Sequence, residues 1–95
     1  MITSNDKPEQ PKNIVEERRL GRTEIDNRFV YEHPEEVIEA LKGMLIVKAE
    51  TLFHKAVIEY IGYHPQFKKI AQNNEPPKYN VVMKDNKFLR MELRS

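Results

Sequence analysis

Three histidines, His33, His54 and His64, are the side chains of this 95-residue chain that titrate nearest neutral pH. His33 and His64 each stand directly before a proline, where a turn or a helix cap accounts for them. His54 follows Glu50 by four residues, and on a helix that spacing puts both on one face. Such a pair can bind a metal ion or move a proton, although the same spacing also serves an ordinary surface contact. The serines, Ser4 and Ser95, lie at the chain ends, poor places for a triad nucleophile. HExxH, GxSxG and glycine-rich phosphate-loop motifs are absent. The chemistry-bearing residues therefore point away from an enzyme and call for no metal or cofactor.

A second group of residues could bind anions. Residues 63–95 carry seven basic and three acidic side chains, a net +4, whereas residues 1–62 carry nine and twelve, a net −3. Lys68, Lys69, Lys84, Lys87 and Arg90, interleaved with Phe67, Tyr79 and Phe88, suit phosphates and bases. Edge lysines that keep a hairpin soluble give the same pattern.

Residues 35–61 are read as the helix that should position these groups. His33-Pro34-Glu35-Glu36 resembles a helix start, with proline in the first turn and acids at the positive end. Apolar residues follow at spacings of three and four: Ile38, Leu41, Leu45, Ala49, Leu52, Ala56 and Tyr60. Gly43 would weaken or kink the helix, and Gly62 with His64-Pro65 would end it. Phe53, Val57 and Ile61 form a second apolar line, beyond what one stripe needs. A helix of residues 35–61 would be about 40 Å long, against a diameter of about 32 Å for a compact domain of this size. The second line then predicts an oligomer interface at Phe53, Val57 and Ile61, most simply across a two-fold axis.

Around this helix the reading places smaller elements. Residues 1–12 are polar and hold two prolines, which predicts a disordered arm before a single domain over 13–95. A short helix over 13–20, capped by Asn13 and ended by Gly21, precedes a short strand at Arg28–Tyr31. Residues 64–72 read as a second short helix stopped by Asn73-Asn74.

The chain should close in a β-hairpin, Tyr79–Lys84 with Phe88–Leu93. A two-residue loop would pair Met83 with Phe88. A three-residue loop would pair Met83 with Leu89, Val81 with Met91 and Tyr79 with Leu93, collecting the apolar side chains on one face. The second register is expected, with Lys87 left-handed. The predicted fold is α+β: one long central helix and a short helix on a small antiparallel sheet ending in a hairpin.

Composition limits function further. With no cysteine there is no disulfide framework, no Cys-ligated zinc and no thiol nucleophile. No apolar run reaches the roughly 18 residues of a membrane span, and Met1–Asp6 lacks a signal-peptide core. A cytoplasmic, soluble protein without membrane partners is expected. The profile fits a small non-enzymatic homo-oligomer that binds and modulates another protein: a regulator, an inhibitor or a phage-type accessory protein. The element order also allows a winged helix, with Lys68 and Lys69 on the recognition helix and the hairpin as wing. Third comes a nucleotide-binding protein whose phosphate site uses Lys68, Lys69 and a helix starting at Pro65.

Overall fold

Where one long helix is expected, the chain makes one short helix and a β-hairpin. The computed structural model describes residues 11–94, without the side chains of residues 11 and 12. In it α3 (Pro34–Ala40) is followed by β2 (Leu45–Leu52) and β3 (Val57–Tyr63). The helix starts where the sequence indicates, with proline in its first turn followed by Glu35 and Glu36. It stops at Ala40 instead of residue 61, with Gly43 just beyond it in a left-handed backbone (φ 84°). Beyond it, Leu45-Ile46-Val47 and Val57-Ile58-Glu59-Tyr60-Ile61 are rich in β-branched and aromatic residues, which favour a pleated surface. Ala56, also left-handed (φ 57°), closes the hairpin loop.

Other boundaries shift too. α1 (Pro11–Glu16) is a helix near the expected place, but it ends before Arg18, which is left-handed (φ 54°). Gly21 lies inside β1 (Leu20–Asp26) instead of capping a helix. Arg28–Tyr31 is not a strand: it falls in α2 (Asn27–Glu32), because the Asp26 carboxylate accepts hydrogen bonds from the N–H groups of Arg28 and Phe29. Residues 64–72 form turns and no helix. The arm expected at the N-terminus lies outside the described residues as far as residue 10.

The C-terminal hairpin is as expected, β4 (Lys78–Lys84) and β5 (Lys87–Leu93). Its two candidate registers coexist. The base pairs Tyr79 with Leu93 and Val81 with Met91, while the tip pairs Met83 with Phe88. A β-bulge leaves Leu89 as the extra residue between them. Asp85 and Asn86 are left-handed (φ 54° and 63°), so the tip is a two-residue turn and Lys87 stays extended.

Among the described residues the fold is thus α+β, three short helices with a five-stranded mixed sheet ordered β2-β3-β1-β4-β5. The sheet is not wholly antiparallel, since β1 runs parallel to β4. That seam pairs only Arg22 with Lys78 and Thr23 with Tyr79, and it joins the two hairpins. Tyr79 is its hub. Its ring stacks on Phe67 with centroids 4.2 Å apart. Its carbonyl accepts from Thr23 Oγ1 (2.8 Å), and its hydroxyl accepts from the Lys68 N–H (2.9 Å). Both rings cover Gly21, where a Cβ would sit 2.8 Å from each. Ile14, Ile25, Val37, Ala40, Phe67 and Tyr79 form the buried core. On the other face of the sheet Arg22 meets Glu59 at 3.7 Å, and Glu24 meets Lys78 at 3.0 Å and Lys55 at 3.2 Å. No helix among the described residues is long and apolar enough to cross a membrane.

Candidate site on the sheet edge

The histidines do not converge. Glu50 lies in β2 and His54 in the following loop, so the helical Glu50–His54 pair does not exist. Glu50 instead bonds Lys48 at 3.3 Å on its own strand. His33 lies against Phe29 with ring centroids 4.7 Å apart, between α2 and α3. His64 is held by the backbone at both ring nitrogens: Nδ1 accepts from the Gln66 N–H (3.0 Å), and Nε2 lies 3.2 Å from Lys42 O. An Nδ1 that accepts and an Nε2 facing a carbonyl suit the tautomer with its proton on Nε2. Among the described residues no group of three or more His, Asp or Glu could hold a metal ion.

His64 also borders two concavities. One, of about 100 Å³, is lined by Ala40, Phe67, Tyr79, Phe88 and Met91 among others. It is well short of the about 300 Å³ of a typical small-molecule site. The other, about 530 Å³ between Glu39, Lys42, Gly43 and Gln66, is broad and shallow, and its one imidazole is already bonded.

The basic residues are spread along the hairpin. Lys68 and Lys69 sit beside the start of β4, through the bond from Lys68 N to Tyr79. Lys84 and Lys87 flank the turn five residues on, about 17 Å along a strand. Arg90 is engaged by Glu92 at 2.7 Å. No helix carries Lys68 and Lys69 or starts at Pro65, so neither the recognition helix of a winged fold nor a helix N-terminus for phosphate is present there.

The three residues expected at an oligomer interface are also separated. Phe53 is at the β2–β3 loop and is 88% exposed. Val57 and Ile61 are half-buried on β3, an interior strand, facing away from the core, Val57 between Asp26 and Leu52 and Ile61 between Arg22 and Lys48.

What remains is backbone chemistry at the sheet edges. Asn27 N–H donates to Ala56 O, and His64 N–H donates to Arg19 O, at opposite ends of the β1–β3 ladder. The register between them is unbroken, so Ile58, Tyr60 and Gly62 bond toward β1. Val57, Glu59 and Ile61 therefore point their backbone groups into β2, and their partners Leu52, Glu50 and Lys48 point back. Ala49 and Thr51, lying between, turn N–H and C=O outward from the sheet. No described strand pairs with them, since β2 ends the strand order.

Leu45, Ile46 and Val47 on the same strand are 39, 41 and 57% exposed. A bulge at Val47 bends the start of the strand, and Lys48–Leu52 is regular. The far edge differs at its tip, while toward the base Met91 and Leu93 of β5 also turn outward. At the β5 tip the outward Phe88 N–H donates to Glu36 Oε1 of α3 at 2.9 Å, and the bulged Leu89 breaks the ladder beside it. In a helical reading of 35–61, Leu45 and Ala49 belong to the apolar stripe and none of these residues marks an edge. Their signal is the period-two pair Lys48 and Glu50 inside a β-branched run.

Comparisons with protein-family models, curated protein sequences and solved structures return no match.

Proposed function

We propose that this chain is a small non-enzymatic interaction protein that takes a strand of another polypeptide onto the free edge of β2 and modulates that partner by holding it. The contrast between the covered tip of β5 and the open middle of β2 carries the reading. At the β5 tip an outward N–H is occupied by Glu36, whereas Ala49 and Thr51 present outward backbone groups beside exposed Leu45, Ile46 and Val47. Proteins usually guard such an edge with charge, proline or a bulge, because it templates pairing. Here the bulge guards the first part of β2, and the two charges on the rest, Lys48 and Glu50, are paired with each other. Strand addition draws affinity from main-chain hydrogen bonds and specificity from alternate side chains. Lys48 and Glu50 supply the second on one face of the strand.

Ala49→Pro is the test. Its N–H faces away from β3, so proline removes the edge donor without breaking the internal ladder. Wild type and variant are used as baits in the native cell extract, with and without nuclease. Partners that survive nuclease and are lost from the variant support strand addition. Identical sets from both baits refute it. Partners lost on nuclease treatment would move the function to nucleic acid and to Lys68, Lys69, Lys84, Lys87 and Arg90.

A further inference from the structure

We infer that the strand received by the β2 edge is β2 of a second copy, paired antiparallel about a two-fold axis at Ala49. The inference rests on the strand-addition reading and names its partner. Direction and charge together select one register. An antiparallel ladder must set outward-pointing residues opposite outward-pointing residues, so Ala49 and Thr51 can face only each other, themselves or Val47 and Phe53. A two-fold centre on Lys48 sets Lys48 against its own copy, and one on Leu52 pairs mostly loop, which leaves three centres. Centred on Glu50, the dimer sets Glu50 against its own copy and Lys48 against Leu52. Centred on Thr51, it sets Glu50 against Leu52 and leaves Lys48 opposite the loop.

Centred on Ala49, each Lys48 lies directly opposite the Glu50 of the other chain, and this happens twice by symmetry. Lys48 and Glu50 point their backbone groups inward, so these are the non-hydrogen-bonded positions, where facing side chains come closest. Both lie on the same face and already attract within one chain at 3.3 Å, side chains 60 and 50% exposed. The second copy closes the two pairs into a ring of four alternating charges. Ala49, the smallest side chain of the strand, meets itself on the axis, where no bulk opposes approach. Beyond the regular ladder, the same axis brings the exposed, bulged end of one strand (Leu45, Ile46 and Val47) toward Leu52 and the 88% exposed Phe53 of the other chain. The outcome is a continuous ten-stranded sheet across two chains.

Charge exchange between chains tests this directly. Lys48→Glu makes both facing pairs acid against acid, and Glu50→Lys makes both base against base. Mixed one to one, the two variants are complementary at both positions. Sedimentation equilibrium of the full chain should show a wild-type dimer with a dissociation constant of about 100 µM or tighter. Each variant alone should associate at least about tenfold more weakly, and the mixture should recover wild-type affinity. Ala49→Pro should be monomeric and folded.

A wild type that stays monomeric while its partners are still lost on Ala49→Pro would overturn the second copy and leave strand addition standing. A dimer indifferent to Ala49→Pro would overturn the second copy at this edge, and strand addition would still be judged by the bait comparison. Variants that do not recover on mixing would overturn the register. A monomer whose Ala49 and Thr51 amides resist hydrogen exchange would show the edge taken within the chain, and would also overturn the proposal.

Discussion

Glu36 on α3 reaches across to β5, where its Oε1 accepts the backbone N–H of Phe88 at 2.9 Å. Phe88 follows the two-residue turn by one position beyond the Lys84–Lys87 pair, so its N–H points out of the sheet. The carboxylate thus fills a place that another chain's carbonyl could take, and it ties helix to hairpin. Removing it with Glu36→Ala should cost about 1.5–3 kcal/mol, the range for a hydrogen bond to a charged group. It should also open the β5 tip, so that light scattering rises with concentration. Glu36→Gln keeps an acceptor and should retain most of both properties.

Gly62 marks the bulge in β2. A Cβ at this position would lie 2.3 Å from Leu45 O and 2.9 Å from Ile46 Cα, both backbone atoms that cannot swing aside. Gly62→Ala should therefore destabilise by about 2 kcal/mol or more and disturb the β2 edge, read as a lower urea midpoint. Gly43→Ala is the contrast. Its Cβ would find ordinary space 3.4 Å from His64 Nε2, leaving only the left-handed backbone (φ 84°) as a cost of about 1 kcal/mol.

These two glycines also explain what the sequence hides. Apolar residues at 38, 41, 45, 49, 52, 56 and 60 satisfy a helical period, and Pro34-Glu35-Glu36 begins a real helix. Yet Leu45-Ile46-Val47 occupies three consecutive places, and Val57-Ile58 with Tyr60-Ile61 two and two, a density that a strand bulged at one end and half-covered on both faces also accepts. Tertiary pairing with β1, distant in sequence, decides between them, and a local period cannot express it. The hairpin at 78–93 is legible because its alternation is strict at the base and Asp85-Asn86 can turn left-handed. Likewise the Glu50–His54 spacing carries meaning only on a helix. Once the segment is a strand, it is Lys48 and Glu50 that share a face.

Tyr79 should be the most sensitive polar position of the seam between the hairpins. Tyr79→Phe keeps the stack on Phe67 but leaves the Lys68 N–H without its acceptor, for a loss of about 1 kcal/mol. Thr23→Val, at a residue with no exposed surface, removes the donor to Tyr79 O for a similar loss. Tyr79→Ala also removes the ring that fills the space beside Gly21 and should cost about 3–5 kcal/mol. Thermal unfolding of the three variants measures this ranking, and a Tyr79→Ala variant no weaker than Tyr79→Phe would show that the stack does not hold the seam.

Glu24 makes the seam acid-labile. Partial burial works to raise its carboxyl pKa, but hydrogen bonds from Lys78 and Lys55, with their charges, outweigh it and hold the pKa below the ordinary value of 4.5. The folded protein therefore holds the Glu24 proton less tightly than the unfolded chain does. Its contribution is complete above the unfolded value, declines as pH falls from about 4.5, and is gone once pH passes below the folded value. Because Lys78 pairs with Arg22 across the parallel seam, protonating Glu24 loosens the junction of the two hairpins as well as one ion pair. Glu24→Gln should lower stability by about 1–2 kcal/mol at neutral pH. Denaturant midpoints of wild type and variant should converge as pH falls from neutrality to below 4.5. A constant gap across that window would show that the carboxylate charge is not what the two lysines stabilise.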